Sequence, residues 1–278
     1  MMGDNMVARI LWKKITCAAV CLAMAAALFG CGNGGTGSET SVTSQESTQT
    51  TPATPAASDK VVLLIDPGHD SAHPGATGIG GVKEEDLTLQ VGKMLEEQLQ
   101  QYSNVEVYMT RETSACPYPD AGGSVEDNRA RCAYAEEIGA DFMISLHFNS
   151  GSGDATANGS MILIQNTNYE PTYNQMGQDL GGRILGNLAS LGFANRGFQT
   201  KDMTDDVEPE QQTYPDGSRS DYYAILHHAK LHHVPAIIVE HGFITNQEDL
   251  DRISGTENLQ KLADADAQAI VEYFGLVK

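Results

Sequence analysis

Apolar positions along the chain fall into short β-branched runs and longer helical stripes, and the two alternate. Val61-Val-Leu-Leu-Ile65 is a continuous apolar run, the pattern of a strand buried on both faces. Asp66, Pro67 and Gly68 stop it and turn the chain, leaving His69 just past the strand end. A Gly-rich loop, 71–81, leads to a helical stripe that opens with Glu84-Glu-Asp86 and continues through Leu99. Val105–Thr110 alternates as a strand, 125–138 reads as a helix, and Phe142–Leu146 is a third strand that delivers His147-Phe-Asn149. Met161–Ile164 is a fourth strand and 174–191 a helix. Residues 197–219 are long, polar and acidic, the mark of a functional or mobile loop such as a substrate-groove flap. Residues 220–231 are helical or mixed, with Tyr223–Leu226 strand-like. Pro235–Glu240 is a fifth strand and 259–274 a last amphipathic helix. Strands interleaved with helices predict an α/β, three-layer domain, its mostly parallel central sheet flanked by helices.

The first sixty residues do not follow this pattern. Arg9, Lys13 and Lys14 precede an apolar run from Ile15 to Phe29, which is too short for a comfortable bilayer span. Basic residues followed by such a run form a secretory signal, and its end, Leu28-Phe-Gly-Cys31, resembles a bacterial lipoprotein signal. Residues 1–30 are therefore expected to be signal peptide, with Cys31 as the lipidated residue. Residues 31–59 are Gly-, Ser-, Thr- and Pro-rich and lack the apolar surface to fold, so they are expected to form a flexible tether. The folded domain is then 60–278. The implied location is the outer face of the cytoplasmic membrane, facing the cell wall, with membrane contact through the anchor at Cys31.

Charge narrows the partners. The whole chain carries −20; the segment before residue 60 holds three basic and four acidic residues, so the domain keeps −19. Such a surface argues against nucleic acid as a partner. Cys116 and Cys132 are the two cysteines of the domain. An exported pair could form a disulfide, but neither has a ligand-spaced neighbour that would suggest metal binding.

The candidate chemistry lies where strands end. His69 and His147 follow two strands, an acid follows the Gly-rich loop, and Glu240 closes another strand. Two imidazoles and a carboxylate are a zinc hydrolase's ligand set, and a further carboxylate off the metal serves as base. No G-x-S-x-G elbow competes. The short His227-His228 and His232-His233 pairs invite a second site but lack a third ligand.

Five motifs then occur in order: Asp66-Pro-Gly-His69, Glu84-Glu-Asp-Leu87, Thr110-Arg111, Ser145-Leu-His-Phe-Asn149 and Pro235-Ala-Ile-Ile-Val-Glu-His-Gly-Phe-Ile-Thr-Asn246. Together they resemble the zinc-dependent N-acetylmuramoyl-L-alanine amidases of the secreted bacterial cell-wall type, over essentially all of 60–278. The resemblance implies one zinc ion on His69, Glu84 and His147, Glu240 as general base and acid, and peptidoglycan as substrate. That family places its ligand acid first in the acidic turn, which favours Glu84 over Glu85. The resemblance further implies a structural, buried ion pair for Arg131. Asn149, His241 and Arg111 are candidate substrate contacts, and His241 stands where many relatives have a small or aliphatic residue. A zinc peptidase acting on stem peptides, or a catalytically silent wall-binding lipoprotein, are the alternatives.

Overall fold

The computed structural model describes residues 60–206 and 212–278. The signal, Cys31 and the tether lie outside the described residues, as do 207–211. Six strands form one sheet: β1 (Val61–Pro67), β2 (Val105–Met109), β3 (Phe142–Asn149), β4 (Ser160–Ile164), β5 (Asn195–Gln199) and β6 (Ala236–Phe243). Their order is β2-β1-β3-β6-β4-β5. Every junction is parallel except β4–β6, which is antiparallel. The helices are α1 (Glu84–Leu99), α2 (Ser124–Glu137), α3 (Pro171–Ser190), α4 (Ala224–Leu231), α5 (Gln247–Ile253) and α6 (Thr256–Phe274).

Two cores sandwich the sheet, and strand alternation assigns each residue to one of them. Leu63, Ile65, Ile144, Leu146, Ile237 and Val239 pack with Val91, Leu95, Ile184 and Ile270, under α1, α3 and α6. Leu64, Met143, Leu163 and Ile238 pack with Cys132, Ala135, Leu226 and Ala229, under α2 and α4. The three-layer arrangement follows from the runs of consecutive apolar residues in β1, β3 and β6, which must be covered on both sides.

Three local expectations change. Tyr223–Leu226 does not form a strand; Ala224–Leu231 is helical and buried over six consecutive residues, against α2 and β6. β5 was not anticipated, because an exposed edge strand reading Asn-Arg-Gly-Phe-Gln has no apolar face to signal it. The segment after β5 is anchored away from the strand ends that carry His147 and Glu240. Asn166 donates its N–H to Asp221 at 2.7 Å and its Nδ2 to Asp202 at 2.9 Å, and Asn168 donates to the Arg219 carbonyl at 2.7 Å. Those asparagines follow the end of β4 paired with Ile237, whereas Glu240 pairs with Met161 at the other end. Asp202, Arg219 and Asp221 are therefore held at that opposite end of β4. Among the described residues no helix is long and apolar enough to cross a membrane.

Candidate active site

The carboxyl ends of parallel strands are where open α/β sheets place their chemistry. β1 ends in Asp66-Pro67, and after Gly68 the chain turns so sharply that His69 takes φ 65°. A non-glycine residue in that region costs of order 1–3 kcal/mol and persists only where its surroundings fix it. Here they do. The Gly68 carbonyl accepts from Thr88 Oγ1 at 2.8 Å and Arg111 Nη2 at 3.2 Å, and its N–H donates to the Leu146 carbonyl at 2.9 Å. Gly68 itself is required by space, since a Cβ there would run into the His147 imidazole. Gly75 is required in the same way, since a Cβ would collide with the Glu84 carboxylate.

These constraints bring His69, Glu84 and His147 together, with one ligand atom from each within 4.8 Å of the others. Glu84 Oε1 lies 3.2 Å from His69 Nε2 and 3.1 Å from His147 Nδ1. The same oxygen accepts the Phe148 N–H at 3.1 Å, and Oε2 accepts the Ala76 N–H at 2.8 Å. Burial disfavours the Glu84 charge, but hydrogen bonds from His147 and His69 more than offset it and hold the carboxyl far below its usual range. Glu85, one residue on, turns away toward Lys83 at 3.6 Å. His69 Nδ1 sits 3.3 Å from the His73 carbonyl, which orients the ring from behind.

Glu240 reaches the site by sheet register. It pairs with His147 across the parallel β3–β6 junction, and both project from the same face of the sheet. Its Oε2 is buried and has no hydrogen-bond partner among the described residues. Burial raises its pKa, with the neighbouring Glu84 adding to the rise and His147, His241 and His69 opposing it. A carboxyl raised in this way is a stronger base than an ordinary one, which suits it to take up and return a proton.

The candidate substrate contacts fare differently. Asn149 stays half-buried at the end of β3, its Nδ2 near Met161 Sδ and its Oδ1 accepting the Ser150 N–H. Arg111 is corrected: it is buried at 4% exposure, and its guanidinium is spent on the carbonyls of Pro67, Gly68, Glu85 and Thr113. It clamps the turn, with Nε and Nη2 committed to carbonyls of the turn and of the start of α1 and Nη1 to Thr113. His241 is corrected too. Strand alternation sends it to the face opposite Glu240, where it is fully buried, with Nε2 2.8 Å from Asp266 of α6 and Nδ1 3.1 Å from the His147 carbonyl.

Arg131 takes the structural role expected of it. It reaches Asp66 at 2.9 Å, Asp70 at 2.9 Å and Asp127 at 2.7 Å, all buried. Asp66 also accepts from Thr110 at 2.7 Å and Ser145 at 2.6 Å. Cys116 and Cys132 are free thiols, not a disulfide. Cys116 does have ligand-type neighbours, against expectation: His73, 43 residues away in sequence, lies 3.9 Å from its sulfur. Among the described residues the ligand-type groups are this one and the His69 group; none forms around His227, His228, His232 and His233.

Parallel strand ends that gather two imidazoles, a carboxylate and a second, unpaired carboxylate define a three-layer α/β domain with a site able to hold a metal. The N-acetylmuramoyl-L-alanine amidase family matches residues 63–272. The sporulation-specific N-acetylmuramoyl-L-alanine amidase of Bacillus subtilis is 29% identical over 223 residues, covering 78% of this chain and 70% of that protein. Among solved structures, the amidase AmiC2 of Nostoc punctiforme superposes with TM-score 0.58 at 25% identity, covering 77% of this chain and 97% of that one. Cwp6 from Clostridium difficile gives TM-score 0.61 at 25% identity over 78% of this chain, which spans 30% of that protein's length. The chain belongs to the N-acetylmuramoyl-L-alanine amidase family, whose members hydrolyse the amide joining N-acetylmuramic acid to L-alanine in peptidoglycan.

Proposed function

We propose that the chain performs this hydrolysis with one zinc ion held by His69, Glu84 and His147, and with Glu240 as general base and then acid. The donor set of two imidazole nitrogens and one carboxylate oxygen suits zinc's borderline character and leaves a position for substrate or water. The spacing supports the assignment: ligand atoms of four-coordinate zinc lie about 3.4 Å apart, against 3.1 and 3.2 Å from Glu84 Oε1 to the two imidazoles. Held there, zinc would supply Lewis acidity, polarising the scissile carbonyl and lowering the pKa of water.

The remaining work falls to the protein. Glu240 takes a proton from the attacking water as its oxygen bonds to the carbonyl carbon. As the carbon–nitrogen bond breaks, Glu240 returns that proton to the alanine nitrogen, which leaves as an amine. The His73 carbonyl and the Ala76 N–H keep His69 and Glu84 in place throughout. The observation that carries this reading is the buried, unpaired Oε2 of Glu240. An unsatisfied buried carboxylate oxygen is costly, and a catalytic position accounts for the cost. The test is mass analysis of digested peptidoglycan beside metal analysis. New N-terminal alanine with intact muramic acid is expected from the wild type. Glu240→Gln should keep its zinc and lose the product, whereas His69→Ala should lose the zinc. Wild-type turnover by Glu240→Gln would overturn the assignment.

We further propose that the enzyme is exported and anchored by lipid at Cys31, on the outer face of the cytoplasmic membrane. The basic residues, apolar run and Leu28-Phe-Gly-Cys31 support this. Anchored there, the domain would work on wall close to the membrane. Cys31→Ser should move the protein from the detergent-extracted membrane fraction to the soluble one; unchanged partitioning refutes the anchor.

A further inference from the structure

A second group of ligand-type side chains lies behind the His69 turn. Asp70 and His73 belong to the turn, Cys116 to the loop after Arg111, and Asp127 to the first turn of α2. One ligand atom from each lies within 4.8 Å of the others. His73 Nδ1 is 3.3 Å from Asp70 Oδ1, 3.5 Å from Asp70 Oδ2 and 3.9 Å from Cys116 Sγ, and Cys116 Sγ is 3.5 Å from Asp127 Oδ1. Four-coordinate zinc, with bonds of about 2.0 to 2.3 Å, spaces its ligand atoms about 3.4–3.6 Å apart. Three of the six edges of such a tetrahedron are thus near these spacings, and the other three lie within 4.8 Å.

The surrounding hydrogen bonds leave suitable lone pairs. Asp70 Oδ1 is occupied by the N–H groups of Ala72 and His73, while Oδ2 accepts from Arg131 Nη2 and keeps a second lone pair. Asp127 Oδ2 accepts from Arg131 Nε, while Oδ1 faces the thiol. Both carboxylates are thus oriented from behind by one guanidinium, as outer partners orient metal ligands. Charge points the same way. Asp66, Asp70 and Asp127 are buried around Arg131, with the buried Arg111 as a second nearby cation. With the thiol's proton gone, four negative groups would face two guanidiniums, and one divalent cation balances them. In line with this surplus, burial and then the Asp127 and Asp70 charges push the Cys116 thiol above its usual range.

We propose that Asp70, His73, Cys116 and Asp127 form a second metal site, for a zinc-class divalent cation, distinct from the His69 group. Binding releases the Cys116 proton to solvent as the sulfur–metal bond forms, one proton per ion. All four positions come from the protein, which marks a closed, structural site rather than a catalytic one. The ion staples the His69 turn to the loop and to α2. It also fixes His73, whose carbonyl lies 3.3 Å from His69 Nδ1. The partly exposed His73 side chain provides an entry path.

The test is metal content and cobalt spectroscopy on the full chain. Zinc-loaded wild type should hold two ions, His69→Ala one, and Cys116→Ser and His73→Ala one each. Cobalt-loaded wild type and His69→Ala should both show a near-ultraviolet thiolate-to-cobalt charge-transfer band, which the thiol-free His69 group cannot produce. Cys116→Ser should lack it. A single ion in the wild type, no such band, or a band and two ions persisting in Cys116→Ser would each overturn the site. Circular dichroism of Cys116→Ser and His73→Ala separates loss of an ion from loss of fold, and the His69→Ala band stands independently of either variant.

Discussion

Two polar clusters flank the same turn, and they are built to opposite ends. Around Arg131, three buried carboxylates meet a guanidinium that bonds to each, and two hydroxyls fill the remaining positions on Asp66. Around Glu84, two imidazoles converge on one carboxylate oxygen, and Glu240 ends beside them with a buried oxygen unpaired. In the first cluster every carboxylate oxygen has a hydrogen-bond partner, and the cluster holds a shape. The second carries an uncompensated atom and offers chemistry. A buried polar group is thus best read by what it still lacks rather than by its burial.

The largest effect that would sharpen this contrast is on the open side. Glu240→Gln should lower kcat about 10²–10⁴-fold with little change in thermal stability, read by product release from peptidoglycan and by calorimetry. On the closed side, Arg131→Met removes the cation shared by three buried carboxylates and should cost about 3–5 kcal/mol of stability, read by urea denaturation. The closed side also has an acid limit. The Asp66 carboxyl, pushed up by burial, is held below its usual range by Arg131 and by the Ser145 and Thr110 hydroxyls. A depressed native pKa contributes stability that is present above the unfolded value, about 4, and is lost as pH falls through the native one. Acid unfolding should therefore begin below pH 4 and move upward in Thr110→Val. If Glu240→Gln destabilised the fold as much as Arg131→Met, the contrast would fail.

Smaller changes test the corrected residues. Asp266→Asn weakens the bond to His241 and should cost about 1–3 kcal/mol, leaving KM unchanged because His241 lies on the far face of β6. A raised KM at unchanged stability would return His241 to the substrate groove. Tyr214→Phe removes a 2.6 Å hydrogen bond to Asp221 at the opposite end of β4. It should cost about 1 kcal/mol with no change in turnover.

Much of this was legible in the sequence because the strongest signals are covalently local. The apolar runs of β1, β3 and β6, each with its site residue attached, predict both the sheet and three of the four site positions. Arg131 as a buried ion-pair residue followed from the resemblance. What escaped depends on packing. β5 is exposed and polar, and α5 is short, marked chiefly by the Asn246 cap that accepts from Glu248 and Asp249. Cys116 meets His73 only because the 111–123 loop folds back across the turn. His241 is a different kind of miss, since a period of two separates neighbours on a strand, and a base at Glu240 already sends His241 to the other face.

The position of β6 has a consequence in time. It is the last strand in the chain, yet it lies between β3 and β4 in the middle of the sheet. A chain made from its amino terminus carries His69, Glu84 and His147 well before it carries Glu240. Until residues 236–243 are available, the centre of the sheet cannot close, and its long-range parallel pairings are of the slow-forming kind. A chain that ends before residue 236 therefore lacks both the centre of the sheet and the base.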